Sequence, residues 1–192
     1  MFGTTTRIWA KINVMYKFTT KTGKEIIIRQ PKISDLKAAL EYVNRLAKER
    51  TFLTIGDKKK TLKEERKYLA DVIENVRKKK GVHLMAFYGK MLVSGTGIDL
   101  KGDVRMHVGE YGIAVAKDFR GMGLGKLMTK LIIAEAKKNL SGLKIISLHV
   151  FSENKKAINM YRKFGFKECG KVPGGVLYRG QYIGDVLMYK KV

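Results

Sequence analysis

The sequence predicts an α+β protein, one domain built on a mixed, mostly antiparallel sheet of about seven strands flanked by about four helices. Three observations carry that expectation. Short strand-like apolar runs alternate with segments whose apolar residues recur every three to four positions. The elements come in the order β-α-α-β-β-β-α-β-α-β-β, with no linker and no internal repeat. The chain has 192 residues, 45% of them hydrophobic, which is enough for one buried core.

Residues 24–29 (KEIIIR) read as a strand stopped by Pro31. Ser34 is placed to cap a helix whose face holds Leu36, Leu40, Val43 and Leu46. A second helix opens on the capping box Thr61-x-x-Glu64 and carries Leu62, Leu69, Ile73 and Val76. Residues 82–90 and 91–98 form a hairpin turning near Gly89, with Gly95 and Gly97 ending or bulging its second strand. A strand at 105–116 runs straight into a glycine cluster and a third helix, which buries Leu124, Leu127, Met128, Leu131 and Ile132. A strand at 143–151, a short helix at 154–164 and strands at 166–172 and 182–189 complete the chain. Residues 1–20 read as an N-terminal extension or an extra strand, and 21–192 as the domain itself.

Charge is the strongest compositional signal: 40 Lys plus Arg stand against 17 Asp plus Glu, a formal net charge of +23. Such a balance attracts nucleic acid, ribosome, acidic proteins or a polyphosphate cofactor. The basic residues are scattered, and aromatic residues are not interleaved with the runs at 58–60 and 77–80. Nucleic-acid or ribosome contact therefore has charge behind it but no motif. Cys169 is the only cysteine, which fits a reducing, cytoplasmic setting, and it reads as packing rather than as a nucleophile. His83, His107 and His149 lack ligand spacing, so no metal site is expected. No apolar run is long enough to span a membrane, and the first residues lack the apolar block of a signal peptide. A monomer and a homodimer both fit.

The informative segment is GIAVAKDFRGMGLGKLM. A strand ends near Val115, and Gly121, Gly123 and Gly125 then open a helix between Arg120 and Lys126. Glycines let backbone N–H groups approach an anion, and a helix N-terminus adds partial positive charge. The segment is a pyrophosphate cradle in physical terms. It is not a Walker A loop, because Leu127 stands where Ser or Thr is needed, and it lacks the spacing and context of a dinucleotide fingerprint.

These residues resemble a known family. RGMGLGK matches the R-x-x-G-x-G signature of the GNAT acetyltransferase superfamily at Arg120, Gly123 and Gly125. NKKAINMYRKFGF resembles its second landmark, with Asn154, Tyr161, Gly165 and Phe166 in the matching places. The likeness is strong over residues 105–170, whereas the first two helices match in pattern only. The ending RGQYIGDVLMYK is similar to endings of some superfamily members that carry Tyr-Ile-Asp, but Gly184 stands where that Asp would be.

The resemblance implies a sheet splayed at the coenzyme, with acetyl-CoA as cosubstrate. Its pantetheine arm would pair like a strand with Ile113, Ala114 and Val115. Its pyrophosphate would rest on Arg120, Gly121, Met122, Gly123, Leu124, Gly125 and Lys126. Asn154 would bond the arm while also capping its helix. Transfer to an amine then poses two proton problems. A lysine amine costs about 4.6 kcal/mol to deprotonate at pH 7 and an α-amine only about 1 kcal/mol. Glu110 is the expected base, with His107 or a water as the alternative, and Tyr161 is the expected acid for the leaving thiolate. The expected acceptor is a protein or peptide amine. A small-molecule amine and a non-catalytic coenzyme- or nucleic-acid-binding module are the competing readings. The net charge argues against a polycationic acceptor unless Glu110 sits in a local acidic pocket.

Overall fold

Local sequence accounts for most of the elements in the computed structural model, which describes residues 5–9, 14–49, 52 and 58–192. The strands are β1 (Thr5–Trp9), β2 (Val14–Thr19), β3 (Glu25–Arg29), β4 (Gly81–Tyr88), β5 (Met91–Leu100), β6 (Val108–Val115), β7 (Ile145–Phe151), β8 (Lys167–Tyr178) and β9 (Gln181–Lys191). They form one sheet in the order β1-β2-β3-β4-β5-β6-β7-β9-β8. Every neighbouring pair is antiparallel except β6 and β7. The mixed, mostly antiparallel sheet is the one expected, with two further strands from the N-terminal stretch. Residues 1–4 and 10–13 of that stretch lie outside the described residues. β2 belongs to the core: Tyr16 and Phe18 are buried, and the Tyr16 hydroxyl donates to Glu135 at 2.7 Å.

The helices are α1 (Leu36–Lys48), α2 (Leu62–Arg77), α3 (Leu124–Asn139) and α4 (Lys155–Lys163). Ser34 does not cap α1. A 3-10 turn over Ile33–Asp35 leads into the helix, and Ser34 is exposed within it. The Asp35 carboxylate orders this corner, accepting from both terminal nitrogens of Arg29 at 2.7 Å and from the Lys32 N–H at 2.8 Å. Burial alone would raise the Asp35 pKa, but these charged bonds outweigh it and hold the carboxyl below its ordinary range. The α1 face that packs inward is Leu36, Ala39, Tyr42 and Leu46; Leu40 and Val43 are half-buried at its margin.

The Thr61–Glu64 capping box forms as expected, with the Thr61 N–H bonded to Glu64 at 2.8 Å. The inward stripe of α2 differs from the expected one. It is Glu65, Leu69 and Val72, and Leu62 is 51% exposed.

β5 runs through Gly95 and Gly97 without a break, and its bulge falls instead at Val93, which is skipped where Ala86 and Phe87 of β4 pair with Ser94 and Leu92. β8 continues past Pro173 to Tyr178 because it is an edge strand, where a missing N–H costs no ladder bond. The helices take opposite faces. Tyr111 of β6 bonds Thr129 of α3 at 2.8 Å and stacks edge-on with Tyr161 of α4, while α1 and α2 reach Gly95 and Asp99 on the other side. No described helix is long and apolar enough to cross a membrane.

Candidate active site

The parallel strands β6 and β7 pair only from Val108↔Ile145 to Glu110↔Ser147, although both continue beyond that point. Past Glu110 the sheet opens. Which backbone groups face the gap follows from strand parity. The Ala116 N–H bonds Val93 O at 2.9 Å and Val108 O accepts from Lys101, so even-numbered residues of β6 turn their backbone groups toward β5. His107 O and Gly109 O instead receive bonds from the β7 side. The groups of Ile113 and Val115 therefore face the gap, and those of Ala114 do not. Ala114 O is in fact occupied by the hydroxyls of Tyr42 and Ser94, each at 2.8 Å.

The glycine cluster follows the open strand end. Gly121 and Gly123 have φ of +77° and +86°, a left-handed turn that side chains resist. Gly123 is the N-cap of α3, and the first helical bond is Leu127 N–H to Gly123 O, so the amides of Leu124, Gly125 and Lys126 have no helical acceptor. An added Cβ would meet nothing within 4 Å at Gly121 or Gly123, and at Gly125 its nearest neighbour is Val115 at 3.7 Å. This surface is open to a ligand. Arg120 does not point freely into it. Its Nε donates to Val115 O at 2.8 Å and its terminal nitrogen pairs with Glu49, so it braces the end of β6 against the end of α1.

On the α3 and α4 side of the loop lies a cavity of about 540 Å³. Its floor includes Phe18, Met122 and Phe164, and its rim carries Lys21, Lys126, Lys130 and Lys163, with no acidic residue among the described residues that line it. On the other side a cleft of about 1380 Å³ runs from Arg120 and Gly125 past Ile113 and Val115 to the face beneath α2. Asn154 and Tyr161 line it too. Asn154 caps α4, accepting from the Ala157 N–H at 3.2 Å. Tyr161 is 8% exposed, its hydroxyl makes no hydrogen bond among the described residues, and burial pushes its pKa up to about 12.

Glu110 lies in the cleft at the apex of the splay, 3.2 Å from Lys101. His107 stands just before β6 and is not part of the cleft lining. Its neighbour in role is a residue the sequence did not single out. His149 of β7 shares the face of Ser147 and Glu110, and its Nδ1 lies 2.8 Å from Asp185 of β9. A carboxylate only accepts, so Nδ1 carries the proton, which leaves the lone pair on Nε2 whenever the ring is neutral. Only the β7–β9 ladder brings these two residues together, so no linear spacing could have shown the pair. Glu65 and the lysine rim were missed for the same reason, each being assembled from separate elements.

Solved structures of similar shape place the fold. A GNAT-family acetyltransferase of Streptococcus pneumoniae superposes with a TM-score of 0.78 at 24% identity, covering 87% of this chain and 99% of that one. A ribosomal-protein-alanine N-acetyltransferase of Brucella melitensis gives 0.74 at 21% identity, covering 86% and 99%. A GNAT-superfamily phosphinothricin acetyltransferase of Sinorhizobium meliloti, solved with acetyl-CoA, gives 0.73 at 14% identity, covering 86% and 87%. At these identities the likeness is one of fold. The sequence profile of the acetyltransferase (GNAT) family matches residues 40–166, and the chain belongs to that family. It is also 44% identical over 62 residues to an uncharacterized N-acetyltransferase of Methanocaldococcus jannaschii, a match spanning 32% of this chain and 26% of that relative.

Proposed function

We propose that the protein is an acetyl-CoA-dependent N-acetyltransferase acting on a primary amine. The observation that carries this reading is the opening between β6 and β7 directly beside the left-handed glycine turn at the N-terminus of α3. The residues present fit acetyl-CoA, because Ile113 turns its backbone groups and Val115 its N–H to the gap, Val115 O being held by Arg120, and the α3 amides are free of side-chain cover. Gly121 to Lys126 would hold the pyrophosphate, with Arg120 bracing the loop. The lysine-rimmed cavity fits the nucleotide end, an apolar floor for a base and cations for a phosphate. Asn154 would bond the pantetheine arm with its remaining amide hydrogens.

When bound, acetyl-CoA supplies an activated thioester. Glu110 would take the proton from the attacking amine, directly or through water. Tyr161, protonated at neutral pH, would donate to the departing sulfur. A second reading of the base, His149 held by Asp185, is favoured by the same cleft face and the free Nε2. Thiol release from acetyl-CoA, with mass spectrometry of the acetylated product across a panel of peptides and small amines, tests the activity. Glu110→Gln and His149→Gln distinguish the bases. The true base loses activity on a lysine amine at pH 7 and recovers part of it as pH rises. On an α-amine the same change costs only a small factor, since roughly a sixth of such amines are already neutral at pH 7. We read the acceptor as a protein or peptide amine, and the carboxylates Glu65 and Asp99 in the cleft make that reading more specific.

A further inference from the structure

Glu65 is the anomaly of the cleft. It sits on the inward stripe of α2 at i, i+4 and i+7 with Leu69 and Val72, where an apolar residue packs best. It is 6% exposed and lines the cleft, yet among the described residues its carboxylate makes no hydrogen bond and no ion pair. Burial raises its pKa, only partly countered by Lys60. Its oxygens are not fully enclosed and open on the cleft, where a largely desolvated carboxylate gains from a cation.

The surroundings point the same way. Asp99 of β5 lies directly opposite Glu110 of β6, a like-charged cross-strand pair that works against the sheet. Both carboxylates face the cleft with Glu65. The Tyr68 hydroxyl, one turn along α2 from Glu65, has its pKa raised by desolvation and then by the charges of Asp99 and Glu65. The arrangement around Asp99 is built. His83 holds it at 2.9 Å and Asn75 at 3.2 Å. Gly97 makes room for the imidazole, since a Cβ there would lie 2.3 Å from His83 Nδ1.

We infer that Glu65 and Asp99, with the Tyr68 hydroxyl, form a subsite for a second cationic group of the acceptor, an ammonium or guanidinium carried beside the amine that is acetylated. The inference rests on the acetyltransferase reading and specifies its acceptor. The net charge of +23 repels a dication more than a monocation, so a preference for the dication has to come from local carboxylates.

The test uses two matched pairs of probes. Cadaverine and n-pentylamine differ in one ammonium, and an Ala-Arg peptide and its Ala-citrulline counterpart differ in one guanidinium charge. Binding is measured by calorimetry on protein saturated with coenzyme A, which cannot react. The dicationic member of a pair should bind at least about tenfold tighter, the low end for a charged hydrogen bond. Glu65→Gln should erase most of that ratio and leave coenzyme A affinity unchanged. Glu65→Leu should erase it as well and raise the melting temperature by roughly 2–4 °C, as relief of an unpaired buried charge would. A preference in the peptide pair alone identifies a basic peptide side chain as the source of the charge, and one in the amine pair alone a free polyamine. Equal or undetectable binding of both members of both pairs, or a ratio unchanged by Glu65→Gln, overturns the subsite. Failure to bind coenzyme A at all is a different result and removes the acetyltransferase reading itself.

Discussion

Tyr161 is a phenol held in a nearly dry site with no hydrogen bond to lose. Tyr161→Phe should therefore leave the fold and acetyl-CoA affinity close to wild type while lowering kcat by roughly ten- to a thousandfold. The pH dependence follows from the direction of its shift. An acid works while protonated, and desolvation pushes this hydroxyl up to about 12, so kcat should show no loss from this group between pH 7 and 10. An unchanged kcat in Tyr161→Phe, with chemistry rate-limiting, would assign the ring to packing against Tyr111 and Phe166. Residues of this kind were legible in the sequence because their positions are tied to local spacing. The glycine turn, Asn154 and Tyr161 all lie within one strand-helix or helix unit. Glu65, His149 and Asp185 were not legible, since their significance comes from what tertiary packing puts beside them. Arg120 falls between these cases: its place in the motif was clear, but its partners Val115 O and Glu49 come from other elements.

Among the elements, β6 does two jobs on its two edges. Its even residues hold β5, and beyond Glu110 its odd residues face the opening. Proline separates the two roles, because it removes one N–H and little else on an unpaired edge. Ile113→Pro should fold and lose acetyl-CoA binding. Ala114→Pro should be clearly the more destabilising of the two, since it removes a ladder bond to β5. Thermal unfolding beside calorimetry reads both, and equal destabilisation by the two substitutions would contradict the parity assigned to the strand. The same scale shows why α2 was misread. Counting apolar residues alone put Leu62, Ile73 and Val76 on its inner face, whereas the packed stripe starts at Glu65. A pattern of hydrophobicity cannot find an inward position occupied by a carboxylate. Residues 1–20 were left ambiguous as an extension or an extra strand, although β2 carries alternating Tyr16 and Phe18 that it buries.

At the scale of the whole molecule, and among the described residues, carboxylates line only one of the two ends of the candidate reaction path. Lys21, Lys126, Lys130 and Lys163 surround the cavity beyond the glycine loop, while Glu65, Asp99, Glu110 and Asp185 enter the cleft beside Lys60, Lys101, Arg120 and Lys156. The overall +23 hides the carboxylates that line the cleft, so the sequence could not reveal Asp99 beside Glu110. Removal of the 3′-phosphate of acetyl-CoA should weaken binding at low salt. The difference should shrink as ionic strength rises, because exposed charges are screened over about 8–10 Å at moderate salt. A difference that persists at high salt would place the phosphate elsewhere. The central claim, that the opening between β6 and β7 and the start of α3 together hold acetyl-CoA, is tested most directly by calorimetry on wild type and Gly125→Asp. Gly125 lies in the first helical turn, outside the left-handed positions, so the variant should stay folded. The account predicts one acetyl-CoA bound per wild-type chain and none detectable in Gly125→Asp, whose carboxylate would meet the pyrophosphate. Equal affinity in a folded Gly125→Asp, or no binding by the wild type, would contradict it.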